Sequence, residues 1–83
     1  MNLKQMEYFV AIVNEGNIST AAKSLHISQP PLSAQMKLLE DELGVVLFER
    51  GSRSIFLTEA GKIFYEKALH ILHLMNCSRW DRD

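Results

Sequence analysis

Apolar side chains recur at helical spacing in four stretches of this sequence and gather in two short strand-like runs between the third and the fourth. Leu3, Met6, Phe9, Val10 and Val13 share one face of a first helix. Asn2 can cap it, with Gln5 three residues on completing a capping box, and Gly16 ends it. A second, short helix starts at Asn17 and runs through Leu25, with Ile18, Ala21, Ala22 and Leu25 turned inward. Ala21 and Ala22 are small enough for another helix to cross closely there. His26-Ile27 makes the turn, and Ser28 is the next cap. Pro30 and Pro31 are tolerated because the N–H groups of a first turn have no intrahelical partner. This third helix is predicted to reach about Leu43, to stop at Gly44 and to bury Leu32, Met36, Leu39 and Leu43. Val45 to Glu49 and Ser54 to Leu57 then read as two strands of a hairpin around Arg50-Gly51-Ser52-Arg53. Thr58 caps a last helix through about Met75, and the charged residues after it are predicted to fray. The fold class is mainly α: a winged helix-turn-helix of three helices and a two-stranded wing (1–58), a long linker or dimerisation helix (59–77) and a frayed tail (78–83).

Length changes this picture little: 83 residues make one domain with room for a small core, which argues against a complete enzyme pocket. No cofactor is expected, and no small-molecule ligand in this chain. The apolar run Tyr8 to Val13 is too short for a signal segment, and no stretch has the ~20 apolar residues of a membrane span. The single Cys77 has no partner for an internal disulfide, which fits a reducing cytoplasm.

A formal net charge of −1 argues against nucleic acid at first sight, because binders usually carry a basic surplus. Its distribution reverses that. From Gly16 to Leu39 there is no Asp or Glu, whereas Lys23, His26 and Lys37 are present. Glu40, Asp41 and Glu42 follow at once, and Arg50 and Arg53 sit at the hairpin. A locally basic face suffices for docking, although not for long-range steering.

Two short helices joined by a tight turn form a corner whose second helix can enter a DNA major groove. Opposite the buried face of the third helix lie Pro30, Ser33, Ala34 and Lys37, with Gln29 at the exposed first turn. Gln pairs bidentately with adenine, Ser bonds either kind of base edge, and Lys reaches guanine or phosphate. Pro30 and Ala34 offer small apolar surfaces to a thymine methyl. The helix N-terminus carries free N–H groups that favour phosphate. The acidic trio at the far end fits a helix that enters the groove N-terminus first and leaves it before position 40. Asn17, Ser19, Thr20, Ser28 and Pro31 complete the candidate DNA-contacting set on these two helices. The bland alternative is a small helical domain with a merely solvated polar face; Pro-Pro in the first turn and the absence of acids weigh against it.

The run from Phe9 to Glu40, with Asn17-Ile-Ser-Thr-Ala-Ala-Lys-Ser-Leu-His-Ile-Ser-Gln-Pro-Pro-Leu-Ser33 at its centre, resembles the signature of LysR-type transcriptional regulators. So do Glu42-Leu-Gly-Val-Val-Leu-Phe-Glu-Arg50 and Leu57-Thr-Glu-Ala-Gly61. The resemblance covers roughly residues 1–75. It implies sequence-specific binding as a dimer to an interrupted palindrome, with Gln29, Pro30 and Ser33 on bases and Arg53 on the wing; a longer form could be a tetramer. Two departures qualify it. Many members carry a basic residue where this chain has Ala34, so one groove contact is missing. The long C-terminal effector-binding domain has no counterpart here, which reads either as a fragment or as a regulator acting by DNA occupancy alone.

The guanidinium groups of Arg50 and Arg53 on a short turn suit phosphate or a narrow A·T-rich minor groove. Arg50 could instead pair with Glu49 or Glu59. In the last helix Glu59, Lys62, Glu66, His70, His73 and Cys77 share one polar arc. Ala60, Phe64, Ala68, Ile71 and Met75 form the opposite stripe, widened by Ile63, Tyr65, Leu69, Leu72 and Leu74. So broad an apolar surface calls for a second chain, and Ala60, Ile63, Phe64, Ala68, Ile71, Leu72 and Met75 are the candidate dimerisation residues. His70, His73 and Cys77 share a face that could hold zinc, but it is also the face turned to water, and no metal is assigned. No phosphate loop, catalytic triad or spaced acid pair points to an enzyme. The expected function is therefore cytoplasmic, sequence-specific binding of double-stranded DNA by a homodimer that regulates transcription. The rival is a protein-interaction module that pairs with a full-length relative without reading DNA itself, and a metal-binding helical protein is a weaker third.

Overall fold

The computed structural model describes residues 2–50 and 54–80, with backbone alone for Arg50 and for 75–80. Its elements are α1 (Leu3–Glu15), α2 (Ile18–Leu25), α3 (Gln29–Leu43), β1 (Phe48–Arg50), β2 (Ile55–Leu57) and α4 (Glu59–Trp80). The expected order of three helices, a two-stranded wing and a long helix is the order observed.

Phe9 is the centre of the core. It is fully buried, as are Ile12, Leu32, Met36, Leu39 and Leu47, and Ala21 and Ala22 let α2 approach closely. Its ring meets Phe48 at 5.2 Å, Phe64 edge-on at 5.0 Å and Tyr65 at 6.4 Å. One side chain of α1 thereby joins the wing and α4 to the helical corner, at spacings typical of favourable aromatic pairs.

The buried stripe of α1 is rotated from the expected one. It runs through Gln5, Met6, Phe9 and Ile12, while Leu3 is exposed. An apolar-only pattern skips Gln5, although the residue four before Phe9 must face the same way. Burial also undoes the expected capping box. Asn2 Oδ1 accepts from the Gln5 N–H at 2.8 Å, but the Gln5 side chain turns inward and donates to Gln35 Oε1 at 3.0 Å. Half the box is formed, and the other half is spent joining α1 to α3.

The first strand is shorter than expected and starts later, because the backbone of 45–47 is engaged elsewhere. Glu40 Oε2 accepts the N–H groups of Leu47 and Phe48 at 2.7 and 3.3 Å. Thr58 N–H donates to Leu47 O at 3.1 Å, and its hydroxyl to Val46 O at 2.6 Å. Only Phe48, Glu49 and Arg50 remain to pair, antiparallel, with Leu57, Phe56 and Ile55. Arg50 is thus a strand residue rather than part of the tip. Ile55 N–H also reaches Gly16 O at 3.1 Å, anchoring the wing to the α1–α2 turn.

At the start of α4 the Thr58 hydroxyl accepts the Gly61 N–H at 3.0 Å, which is the expected cap. A Cβ on Gly61 would collide with the Leu47 carbonyl oxygen, so a glycine is needed where the helix crosses the loop. At its other end α4 continues to Trp80, past the expected limit near Met75. No glycine or proline follows Met75 to stop it.

Candidate nucleic-acid interface

The corner is built at His26. Its backbone is left-handed, with φ 61° and ψ 38°, and its N–H and that of Ile27 return to Lys23 O at 3.1 Å and Ala22 O at 3.0 Å. This paired closure turns the chain sharply without glycine and sets α3 beside α2. Asn17 caps α2 through Oδ1, which accepts the Thr20 N–H at 2.7 Å.

The start of α3 is different. Ser28 holds the extended backbone of an N-cap, yet its side chain makes no capping bond. An N-cap oxygen accepts from the second or third helical N–H, and here those positions are Pro30 and Pro31, which have none. The same prolines leave only the Ser28 and Gln29 N–H groups at the four positions that lack intrahelical partners. The terminus therefore presents two backbone donors rather than four, plus a hydroxyl that makes no capping bond.

Along the first turns of α3, Gln29, Pro30, Pro31, Ala34 and Lys37 are exposed and Ser33 is half-buried. Lys37 Nζ lies 3.8 Å from Asp41 on a solvent-exposed turn, a pair worth at most ~1 kcal/mol and easily exchanged for another anion. From α2, Ser19 and Thr20 are exposed and Asn17 is half-buried. Ser19 Oγ donates to Gln29 Oε1 at 3.0 Å, which brings the two helix starts together. The Arg50 side chain and Arg53 lie outside the described residues; the register places the Arg50 backbone opposite Ile55.

The α4 residues separate into two groups. Ala68 is buried, Ala60 and Phe64 are half-buried against the chain's own core, and the Tyr65 hydroxyl donates to Asn14 Oδ1 at 2.6 Å. Ile63 and Ile71 remain exposed, as do Leu69 and Leu74, and Leu72 is half-buried. The Met75 side chain lies outside the described ones, as does Cys77 of the histidine-cysteine face. His70 is exposed, and among the described residues no group of three His, Cys, Asp or Glu is placed to hold a metal.

Sequence reasoning missed Glu40, taken there only as a charge that DNA repels. Its position was the available signal. A carboxylate near a helix C-terminus opposes the helix dipole and needs another reason to be there, which the two N–H groups of the wing supply. Asn14, the partner of Tyr65, carried no such signal.

A tight helix-turn-helix corner with an exposed second helix and a two-stranded wing defines the winged-helix class. The chain belongs to the lysR family of bacterial regulatory helix-turn-helix proteins, whose profile matches residues 3–62. The HTH-type transcriptional regulator ClcR of Pseudomonas putida is 52% identical over 79 residues, which are 95% of this chain and 27% of ClcR. The structure is similar to that of CbnR_DBD in the CbnR_DBD-DNA complex, with TM-score 0.91, 51% identity and coverage of 99% of this chain and 93% of that one. It is similar also to BenM_DBD in its complex with benA site 1 DNA, with TM-score 0.91, 44% identity and coverage of 99% and 94%. The chain spans about a quarter of the length of curated regulators such as ClcR, 27%, and the probable cat1 operon transcriptional activator of Acinetobacter lwoffii, 24%.

Proposed function

We propose that this chain binds double-stranded DNA sequence-specifically as a homodimer and so regulates transcription, with the first turn of α3 in the major groove. One observation carries the reading: α3 begins with an exposed, acid-free surface whose cap hydroxyl has no partner within the helix. In this arrangement Gln29, Pro30, Ser33 and Ala34 face base edges. Ser28, Lys37 and the start of α2 at Asn17, Ser19 and Thr20 face phosphates, with Pro31 packed beside them and Arg50 and Arg53 on the wing. The likeness to domains solved as DNA complexes supports it. The chemistry is recognition, and no catalytic group is assigned. Among the described residues no helix is long and apolar enough to cross a membrane, and we place the protein in the cytoplasm, where its DNA would be.

The twofold interface is assigned to the exposed residues of α4. Ile63, Ile71 and Leu74 are 55%, 36% and 54% exposed, and Ile63 also borders a shallow groove of about 250 Å³ lined by Leu43, Val45 and Ala60. A second copy covering this surface would pair two reading helices for two half-sites, and the second half-site would then bind at high effective concentration. The same exposed arc favours the second reading, pairing with a longer relative that carries a similar helix.

Both are tested with duplexes selected from a randomised library by the chain itself. Binding should weaken with salt and should be far tighter for two half-sites than for one. Ile71→Glu should give a monomer by sedimentation and abolish that preference. Selection of no sequence by a dimeric chain would favour the interaction-module reading. A monomer that binds one half-site as tightly as two would overturn the dimer.

A further inference from the structure

The Leu47 peptide is held from two sides. Glu40 Oε2 accepts its N–H and that of Phe48 at 2.7 and 3.3 Å, and its carbonyl oxygen accepts the Thr58 N–H at 3.1 Å. The leucine side chain is fully buried. The base of the wing is thereby tied at one residue to the end of α3 and to the start of α4. Glu40 is half-buried and follows Ser33 by seven residues. That is two helical turns, so both lie on one face of α3, about 10 Å apart along its axis. The wing therefore springs from the Ser33 side of the helix. By charge alone a carboxylate is a poor choice there, because it repels phosphate. Its reach to two backbone donors is what the position uses.

We propose that Glu40 is a positioning residue for DNA binding: by holding the Leu47 and Phe48 N–H groups to the end of α3, it fixes the spacing between the reading turn and the wing, so that both engage one DNA site together. The inference rests on the assignment of the wing to DNA made above. Glu40 acts through the start of β1 and makes no contact with DNA itself.

Two variants separate reach from charge. Glu40→Asp keeps the charge but is one carbon shorter, ~1.5 Å, which takes both N–H groups beyond hydrogen-bonding distance. Glu40→Gln loses the charge and keeps an oxygen that can accept two N–H groups. The full chain is bound to a selected duplex at a temperature where every variant is folded, and protection of the DNA backbone from cleavage is mapped beside the affinity. The wing's footprint is the stretch whose protection Arg53→Ala removes. Glu40→Asp should lose that stretch, keep the protection of the half-site and bind about tenfold more weakly, as for one lost charge-assisted contact. Glu40→Gln should keep the whole footprint and bind at least as tightly as the wild type. Thr58→Ala, which loosens the same loop from the α4 side, should keep it too, so that lost stability alone does not account for the Asp result. A Glu40→Asp chain with the wild-type footprint, or a Glu40→Gln chain without the wing's share, overturns the inference and leaves the wing on DNA. If Arg53→Ala removes no protection, the wing assignment fails and the inference with it.

Discussion

Two hydroxyl residues stand at helix starts in this chain, and they are used in opposite ways. The Thr58 hydroxyl donates to Val46 O at 2.6 Å and accepts from Gly61 N–H at 3.0 Å, so it fastens the loop before the wing to α4. Ser28 occupies the corresponding position before α3 and makes no capping bond, because Pro30 and Pro31 have no N–H to give it. Local rules are satisfied at the first site and broken at the second. Proteins break them where a group is kept for an outside partner. The contrast therefore separates a residue that holds the fold from one that, in the function proposed above, is held ready for DNA.

The comparison can be broken most severely at the Thr58 end. Gly61→Ala places a Cβ against the Leu47 carbonyl, a backbone atom that cannot move without shifting the wing. It should cost ~2–4 kcal/mol, measured by denaturant unfolding. Thr58→Ala removes one cap and one bond to the loop and should cost ~1–2 kcal/mol in the same assay. The smallest effect is a coupling at the other end. Pro31→Ala supplies the missing N–H, so Ser28→Ala should cost ~0.5–1 kcal/mol in that background and almost nothing in the wild type. No coupling in a double-mutant cycle would mean that the prolines are not what leaves Ser28 unengaged.

Legibility in the sequence followed the same division. The corner was readable because Ile18, Ala21, Ala22, Leu32, Met36 and Leu39 are apolar at regular spacing, and all six are buried. Caps at Asn2 and Thr58 were readable because their partners are near in sequence, whereas Asn17, read as the first residue of α2, proves to be its cap. The start of β1 was not, because it depends on Glu40, which reaches the wing from seven residues before Leu47. Nor was the inward turn of Gln5, whose partner Gln35 lies thirty residues away. In α4 the breadth of the apolar arc was visible but its partition was not. Phe64 and Tyr65 belong to Phe9, while Ile63 and Ile71 stay exposed, and only tertiary packing decides which. A charge at Phe64 would therefore damage the fold before it tested assembly, which makes Ile71 the cleaner site. In the reading face, Gln29 and Ser33 were legible as residue types, whereas the bond between Gln29 and Ser19 required two helices to be placed side by side.

The claim that the start of α3 is kept for DNA is tested most directly by the duplex affinity of Ser28→Ala, with Thr58→Ala as its counterpart, at a temperature where both are folded. A hydroxyl bonded to a phosphate is a charge-assisted contact, so Ser28→Ala should bind selected duplex about tenfold more weakly while its unfolding midpoint stays at the wild-type value. Thr58→Ala should show the reverse, a lower midpoint and unchanged affinity. Wild-type affinity in Ser28→Ala, with a midpoint lowered as for a lost cap, would contradict the account.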